Sequence, residues 1–261
     1  MAVLALALFL LLGTATAAEY KPLPWHLADY HHHLPEVSDF GTLSIDVDIR
    51  GKIGEGDFLF LAPLWGHIGR NSFYFGMQTD MIDDTHNRVV GRGLLFSRWG
   101  PATTADARAA AGGWSTALTD AKSREGDFTS VRRGYAWTPG RYTFRLTVQG
   151  SGTSGGQWLA LSMEDHQTGR RVPVGSLRFE DGTPARFGTR PVSFVEVYRR
   201  PPGTVASQPY SPPPLAVTMG PLVVNDRIRP RGGQTYIGAK VPQVAKVTEE
   251  VAGVRITLAN P

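Results

Sequence analysis

There is no cysteine in this 261-residue chain, which removes disulfides, zinc–thiolate centres and cysteine nucleophiles from consideration. Charge is sparse as well: Asp, Glu, Lys and Arg make up 19% of the residues, below the roughly 25% of an average soluble domain. Lysine is nearly missing, present only as Lys21, Lys52, Lys122, Lys240 and Lys246, so arginine carries the positive charge. The pairs Arg132-Arg133, Arg170-Arg171 and Arg199-Arg200 have the fork geometry to grip carboxylates or sulfates. Yet the charges are scattered, and a formal +4 spread this way reads as a solvated surface rather than a polyanion-binding face. Nucleic acid is not expected as a partner, since no recognised nucleic-acid module is present. Beyond its first residues the chain has no apolar run near the roughly 20 residues of a spanning helix, so no membrane span is expected. There is no G-x-S-x-G elbow, no phosphate loop and no H-E-x-x-H.

What the chain does have is turn-forming residues, with Gly 30 and Pro 19. It also opens on an apolar leader. Ala2 to Leu12 is uninterrupted and is followed by Gly13-Thr14-Ala15-Thr16-Ala17-Ala18, the pattern of an h-region and a small-residue cleavage site, although no basic residue precedes it. Residues 1–18 are therefore read as a signal peptide, and the mature protein as secreted, either extracellular or periplasmic.

Hydrophobic periodicity then runs at two residues rather than 3.6. Thr42 to Arg50 alternates, with Leu43, Ile45, Val47 and Ile49 on one face and Ser44, Asp46, Asp48 and Arg50 on the other, as in a half-exposed antiparallel strand. Phe58 to Trp65 is apolar throughout, which predicts a strand buried on both faces. The centre of the chain, Ser72 to Trp99, reads as two apolar strands around an acidic loop, Thr79 to Arg88. Further strands are expected at 128–135, 141–148, 157–164, 172–179 and 192–199, punctuated by turns such as Thr138-Pro139-Gly140 and His166-Gln167-Thr168-Gly169. Glu19 to Phe40 shows no clear period and is read as a loop or edge-lying arm, and 102–113 as a short helix or loop. Short strands at this spacing predict an all-β fold, an antiparallel β-sandwich of jelly-roll (concanavalin-like) type over residues 19–200. Six prolines in Pro201 to Pro214 mark a stiff connection. Residues 215–261 supply further strands, with Val244, Val247 and Val251 allowing a short helix. They are expected to complete the same sandwich, because so short a segment without cysteine or metal is marginal alone.

The stretches FYFGMQTD, GRGLLFSRWG, EGDF followed by VRRGYAW, and WLALSMEDHQTG resemble an uncharacterised family of secreted bacterial proteins, a domain of unknown function. The resemblance covers about Asp39 to Arg199. It implies an extracellular β-sandwich by analogy with carbohydrate-associated modules, and it carries no catalytic residues to transfer.

Function candidates come from strand parity. Phe73, Phe75 and Met77 share one face, and Tyr74, Gly76 and Gln78 the other. Arg133, Tyr135 and Trp137 also share a face, as do Leu95, Ser97 and Trp99. Aromatic rings beside Gln and Arg hold sugars by stacking on the apolar side of a pyranose while the polar groups take its hydroxyls. Tyr74, Gln78, Arg98, Arg133, Tyr135 and Trp137 are accordingly the candidate ligand-binding residues for a polysaccharide or oligosaccharide. The competing reading makes Trp99, Trp137 and Trp158 core anchors, since tryptophan is mostly buried. An enzyme on the same scaffold, a polysaccharide lyase or glycoside hydrolase, is the alternative. A lyase would use Tyr74 or His67 as base and Arg70 or Gln78 to stabilise developing charge. A hydrolase would need two carboxylates, for which Asp80, Asp83, Asp84, Glu125, Asp127, Glu164 and Asp165 offer no diagnostic pairing. A purely structural envelope protein stays open as a third class. Two acidic loops, around Asp80, Asp83 and Asp84 and around Asp127, are candidate ligands for a structural Ca²⁺. The repeated tetrapeptide Glu55-Gly56-Asp57-Phe58 and Glu125-Gly126-Asp127-Phe128 has a simpler reading as shared turn chemistry. His31-His32-His33 point in alternating directions on an extended segment, which disfavours a common metal.

Overall fold

The computed structural model describes residues 25–83, 86, 88–123, 126–151, 156–179, 186–199, 212–238, 245–251 and 253–258. The leader, Asp84, Glu125 and residues 201–211 lie outside them. The chain begins with β1 (Trp25–His32), β2 (Thr42–Gly51), β3 (Leu59–Ile68) and β4 (Asn71–Gln78), followed by a small ribbon of β5 (Ile82–Asp83) and β6 (Arg88–Val89). Next come β7 (Gly93–Trp99), a 3₁₀ turn at Thr104–Asp106, β8 (Ala107–Ala109), β9 (Gly113–Leu118) and one helical turn, α1 (Asp120–Ser123). The second half holds β10 (Phe128–Gly134), β11 (Gly140–Ser151), β12 (Gln157–Asp165), β13 (Arg170–Phe179) and β14 (Val192–Val197). It closes with β15 (Leu215–Val224), β16 (Gly233–Ile237), β17 (Ala245–Glu250) and β18 (Gly253–Leu258).

Among the described residues these strands make two eight-stranded antiparallel sheets. The first has the order β16-β1-β14-β3-β4-β7-β10-β9, the second β17-β18-β15-β2-β11-β12-β13-β8. The protein is thus all-β, with two facing sheets of a sandwich. The residues after the Pro-rich stretch are woven into both layers: β15 lies between β18 and β2, and β16 lies beside β1.

The core between the sheets follows from the period-two pattern. In β2 the buried residues are Leu43, Ile45, Val47 and Ile49, paired across β11 with Leu146, Phe144, Tyr142 and Gly140. β4 sends Phe73, Phe75 and Met77 inward, where Phe75 meets Phe144 of the opposite sheet at 5.5 Å between ring centroids and Phe73 meets Phe179 at 5.8 Å. Each such buried aromatic contributes several kcal/mol at about 25 cal/mol per Å² of apolar area removed from water.

Three segments differ from the sequence expectation. Trp25–His32 is no edge arm but an internal strand, paired on one side with β14 and on the other with β16. A β-bulge between His26 and Ala28 breaks its alternation, so both Leu27 and Ala28 are fully buried. The tail around Val247 forms β17 rather than a helix, in register with β18. Residues 102–112 hold the 3₁₀ turn and β8, a three-residue edge strand on β13, and Gly113 begins β9.

A cavity on the outer face of the first sheet

Cross-strand register decides which side chains of the first sheet point away from the core. Tyr74 pairs with Trp65 on one side and Ser97 on the other, and Ser97 pairs with Ser130. Gln78 pairs with Phe60, which pairs with Glu196, which pairs with His26. Those side chains share one face across six strands, and they surround a cavity of about 610 Å³. Its wall comprises His26, Asp29 and His31 of β1, Val192, Phe194 and Glu196 of β14, Phe60 and Trp65 of β3, Tyr74 and Gln78 of β4, Trp99 of β7, Phe128 and Arg132 of β10, and Ile82, Leu118 and Tyr198.

The floor is a second apolar cluster, separate from the core: Phe60, Ala62, Leu95, Val192 and Phe194, with Trp65, Tyr74 and Tyr198 packed on it. Its rings interlock. Phe60 stands 5.1 Å from Tyr74 and 5.6 Å from Phe194, and Tyr74 lies edge-on to Trp99 at 4.7 Å. Gly76 makes this floor possible: a Cβ there would lie 2.2 Å from the Leu61 carbonyl oxygen and 2.8 Å from the Phe60 ring. The strand opposite it, β3, bulges between Leu61 and Leu64. At the centre the Ser97 hydroxyl donates to that of Ser130 at 2.8 Å, both fully buried.

Charged groups stand at two ends. At one, the His26 ring stacks on Phe194 (4.4 Å, 14°), its Nδ1 is 2.8 Å from Asp29 Oδ1 and its Nε2 is 3.9 Å from Glu196 Oε1. Burial alone would lower the pKa of this imidazole. The hydrogen bond and charge of Asp29, with the charge of Glu196, outweigh it and carry the pKa above the ordinary histidine value. The Asp29 and Glu196 side chains are only 12% and 11% exposed. At the other end, Arg132 donates from Nη1 to the Ile82 carbonyl at 2.6 Å. Tyr198 closes this side, its hydroxyl donating to the Asp80 carbonyl at 2.7 Å. The arrangement can stack aromatic faces on an apolar ring, take hydroxyls on Gln78 and the carboxylates, and exchange a proton through His26.

Of the residues proposed from the sequence, Tyr74 and Gln78 line the cavity. The others do not. Arg98 points inward, fully buried, and its Nη2 is 2.6 Å from Asp106, which Arg178 also grips at 2.6 Å. Arg133 reaches the second sheet and donates to the Pro173 carbonyl at 2.7 Å. Tyr135 donates to Asp165, and Trp137 is a core anchor, 1% exposed, with its indole N–H on the Gln78 carbonyl. The correction is one of parity: the outer face of β10 is Phe128, Ser130 and Arg132, and sequence reading chose the odd-numbered set. His67 shares the face of Trp65, against which its ring lies at 4.9 Å, but it does not reach the cavity, and Arg70 sits in the β3–β4 turn.

The acidic loops are spoken for by the fold's own donors. Asp80, 3% exposed, accepts from the Gly56 and Phe58 amides at 2.7 and 2.9 Å and from the Thr79 hydroxyl at 2.7 Å. Asp83 faces His86 Nδ1 at 2.7 Å and Arg88 Nε at 3.5 Å. Asp127 accepts from the Asp120 amide at 2.8 Å, as Asp57 does from Gly54 at 2.6 Å, so both copies of the repeated tetrapeptide place their Asp on a turn amide. Among the described residues no group of three or more His, Asp or Glu side chains is set to hold a metal, and no helix is long and apolar enough to cross a membrane. The histidine triplet splits as alternation requires: His31 lines the cavity, His32 is buried on Ser193, and His33 is exposed.

The residues missed by sequence reasoning include His26, Asp29, Glu196 and Phe194 on β1 and β14, Phe60 and Trp65 on β3, and Arg132 on β10. No protein-family model matches the chain, and no curated protein matches it.

Proposed function

We propose that the protein is a glycan-binding β-sandwich, of jelly-roll (concanavalin-like) type, that holds an oligosaccharide in the cavity on its outer sheet face. The observation that carries this is the aromatic floor of Phe60, Tyr74, Trp99 and Phe194, flanked by Gln78 and by carboxylates. Phe60 and Phe194 are buried and Tyr74 and Trp99 half-buried, so the cavity offers ring surfaces beside polar groups, and rings with polar neighbours suit the two-sided chemistry of a pyranose. Secretion, and kinship with the secreted bacterial proteins whose motifs the chain resembles, belong to the same proposal. The test is a glycan array with the full chain, followed by calorimetry on Tyr74→Ala and Trp99→Ala. Both variants should lose at least tenfold in affinity while keeping the native fold. No binding to any glycan would sink the reading.

One observation favours cleavage as a second reading. Asp29 and Glu196 flank a single imidazole and both face the cavity, a separation that stays under the roughly 9 Å upper limit for paired glycosidase carboxylates. Product analysis on the bound oligosaccharide separates retention from hydrolysis, and a hydrolase would lose turnover in Glu196→Gln.

A further inference from the structure

We infer that the sugar track continues out of the cavity, over β1 and onto the edge strand β16, where Tyr236 and Gln234 form a further subsite. The bound molecule is then a long segment of an extended, uncharged β-1,4-linked polysaccharide rather than a single sugar. This rests on the glycan-binding reading and names its substrate class. Register carries the argument. One row of directly paired residues runs Tyr74, Trp65, Val192, His31 and Gln234 from β4 to β16. A second row runs Phe194, Asp29 and Tyr236. Directly paired residues lie on one face of a sheet, and His31, Asp29, Val192 and Phe194 all line the cavity. Gln234 and Tyr236 therefore stand on that same outer face, one strand beyond its rim, where β16 ends the sheet.

Tyr236 is 53% exposed and is the one aromatic among the exposed large hydrophobic side chains of the described residues. A lone exposed ring is ordinary on a protein surface, but this one lies in line with the Phe194 ring of the cavity floor. The strand that carries it is also uncharged from Gly232 to Gly238, whereas β17, the edge of the other sheet, carries Lys246, Glu249 and Glu250. Edge strands are ordinarily guarded by charge. β16 offers instead a ring and an amide, which stack on a neutral pyranose and take its hydroxyls. The platform is held in place: β16 pairs with β1 over five residues, and a Cβ on Gly233 would lie 2.4 Å from the Tyr30 ring. Tyr236 stands four strand spacings from Tyr74, roughly 19 Å at about 4.8 Å per strand. No single sugar spans that separation. A flat β-1,4-linked chain does, since each of its units advances by about one strand spacing.

The experiment is calorimetry on the full chain with two ladders, each from disaccharide to hexasaccharide: β-1,4-linked glucose and β-1,4-linked N-acetylglucosamine. In at least one ladder affinity should rise with length, the hexasaccharide binding at least tenfold more tightly than the disaccharide. Tyr236→Ala should leave Tm unchanged and remove most of that rise, lowering hexasaccharide affinity at least fivefold and disaccharide affinity not at all. Tyr236→Trp, which keeps a stacking ring, should retain the rise. Should Tyr236→Ala fail to fold, Gln234→Ala, with the same loss confined to the long oligomers, and the wild-type length series decide. A wild-type hexasaccharide no tighter than the disaccharide, an unchanged hexasaccharide affinity in the folded variant, or an equal loss at every length overturns the inference while leaving glycan binding intact. Binding of neither ladder also overturns it, and the glycan array then decides separately whether the protein binds glycan.

Discussion

Tyr74 and Phe75 are chain neighbours that face opposite ways on β4, so truncating each one separately pulls binding apart from folding. Phe75 is fully buried, 5.5 Å from Phe144 of the opposite sheet and 6.4 Å from Phe73. Phe75→Ala leaves a hole in the main core, a change that costs about 3–5 kcal/mol. At about 2–4 °C per kcal/mol for a chain of this length, Tm should fall by about 6–20 °C. Tyr74 is half-buried, and its truncation removes contacts with Phe60 and Trp99, each worth about 0.5–1.5 kcal/mol beyond area. Tyr74→Ala should therefore cost about 1–3 kcal/mol, a Tm drop of about 2–12 °C. Binding inverts the order. Measured well below both transitions, Phe75→Ala should keep its glycan affinity within about twofold, and Tyr74→Ala should lose at least about 1.4 kcal/mol, a factor of ten. Urea unfolding followed by tryptophan fluorescence, with calorimetry on the same samples, gives both numbers. If Tyr74→Ala is as destabilised as Phe75→Ala and binds normally, the outer face is not the site.

Substitutions at His32, Asp80 and Gly76, and chelation, probe the scaffold. His32 is buried neutral: desolvation, then the neighbouring charges of His31 and His33, lower its pKa to about 4. Because the unfolded imidazole titrates near 6.5, stability is full above that value and is lost as pH falls from 6.5 toward 4, by about 3 kcal/mol. Ser193 gives its proton to the Pro63 carbonyl, so His32 Nε2 must donate to it; His32→Gln keeps a donor and should flatten the pH slope in denaturant titrations. Asp80→Ala strands the Gly56 and Phe58 amides and the Thr79 hydroxyl, at about 1–3 kcal/mol for each donor left buried without a partner, and should cost more than Asp80→Asn. Gly76→Ala pushes a methyl into the Leu61 carbonyl and the Phe60 ring; about 1–3 kcal/mol of stability and the glycan affinity should fall together, and a neutral effect on both would refute the close approach. Chelator should leave Tm unchanged, because Asp80 and Asp83 already accept from protein donors; a rise in Tm on adding Ca²⁺ would show that these loops hold the ion.

Strands with one wet face were legible because their alternation is a direct print of burial. β2 reads Leu43, Ile45, Val47, Ile49 in sequence and buries those four in the structure. β1 was illegible for two physical reasons: its bulge shifts parity after His26, and partners on both sides remove the polar edge that marks a strand. β17 failed differently. Valines at 244, 247 and 251 have the spacing of a helix face, and the strand at Ala245–Glu250 is set instead by its pairing with β18.

The site was half legible, and β10 shows why. Arg132 and Arg133 put a cation on each face, so composition cannot tell which face is outward, and a slip of one residue exchanges every side chain between core and solvent. Register against β7 settles it, pairing Ser130 with Ser97 and hence placing Arg132 beside Tyr74's face. The carboxylate end is harder still, since Asp29 and Glu196 come together only through the pairing of β1 with β14 and leave no spacing in the sequence. One signal did cross that gap. β3 is apolar on both faces, and in a two-layer sandwich a strand has only one face toward the core. Phe60 and Ala62, on its other face, belong to the cavity floor. A strand that is apolar twice over, in a fold whose core takes only one of its faces, points to a second apolar cluster on the outer face, and in this protein that cluster is where the rings and the carboxylates converge.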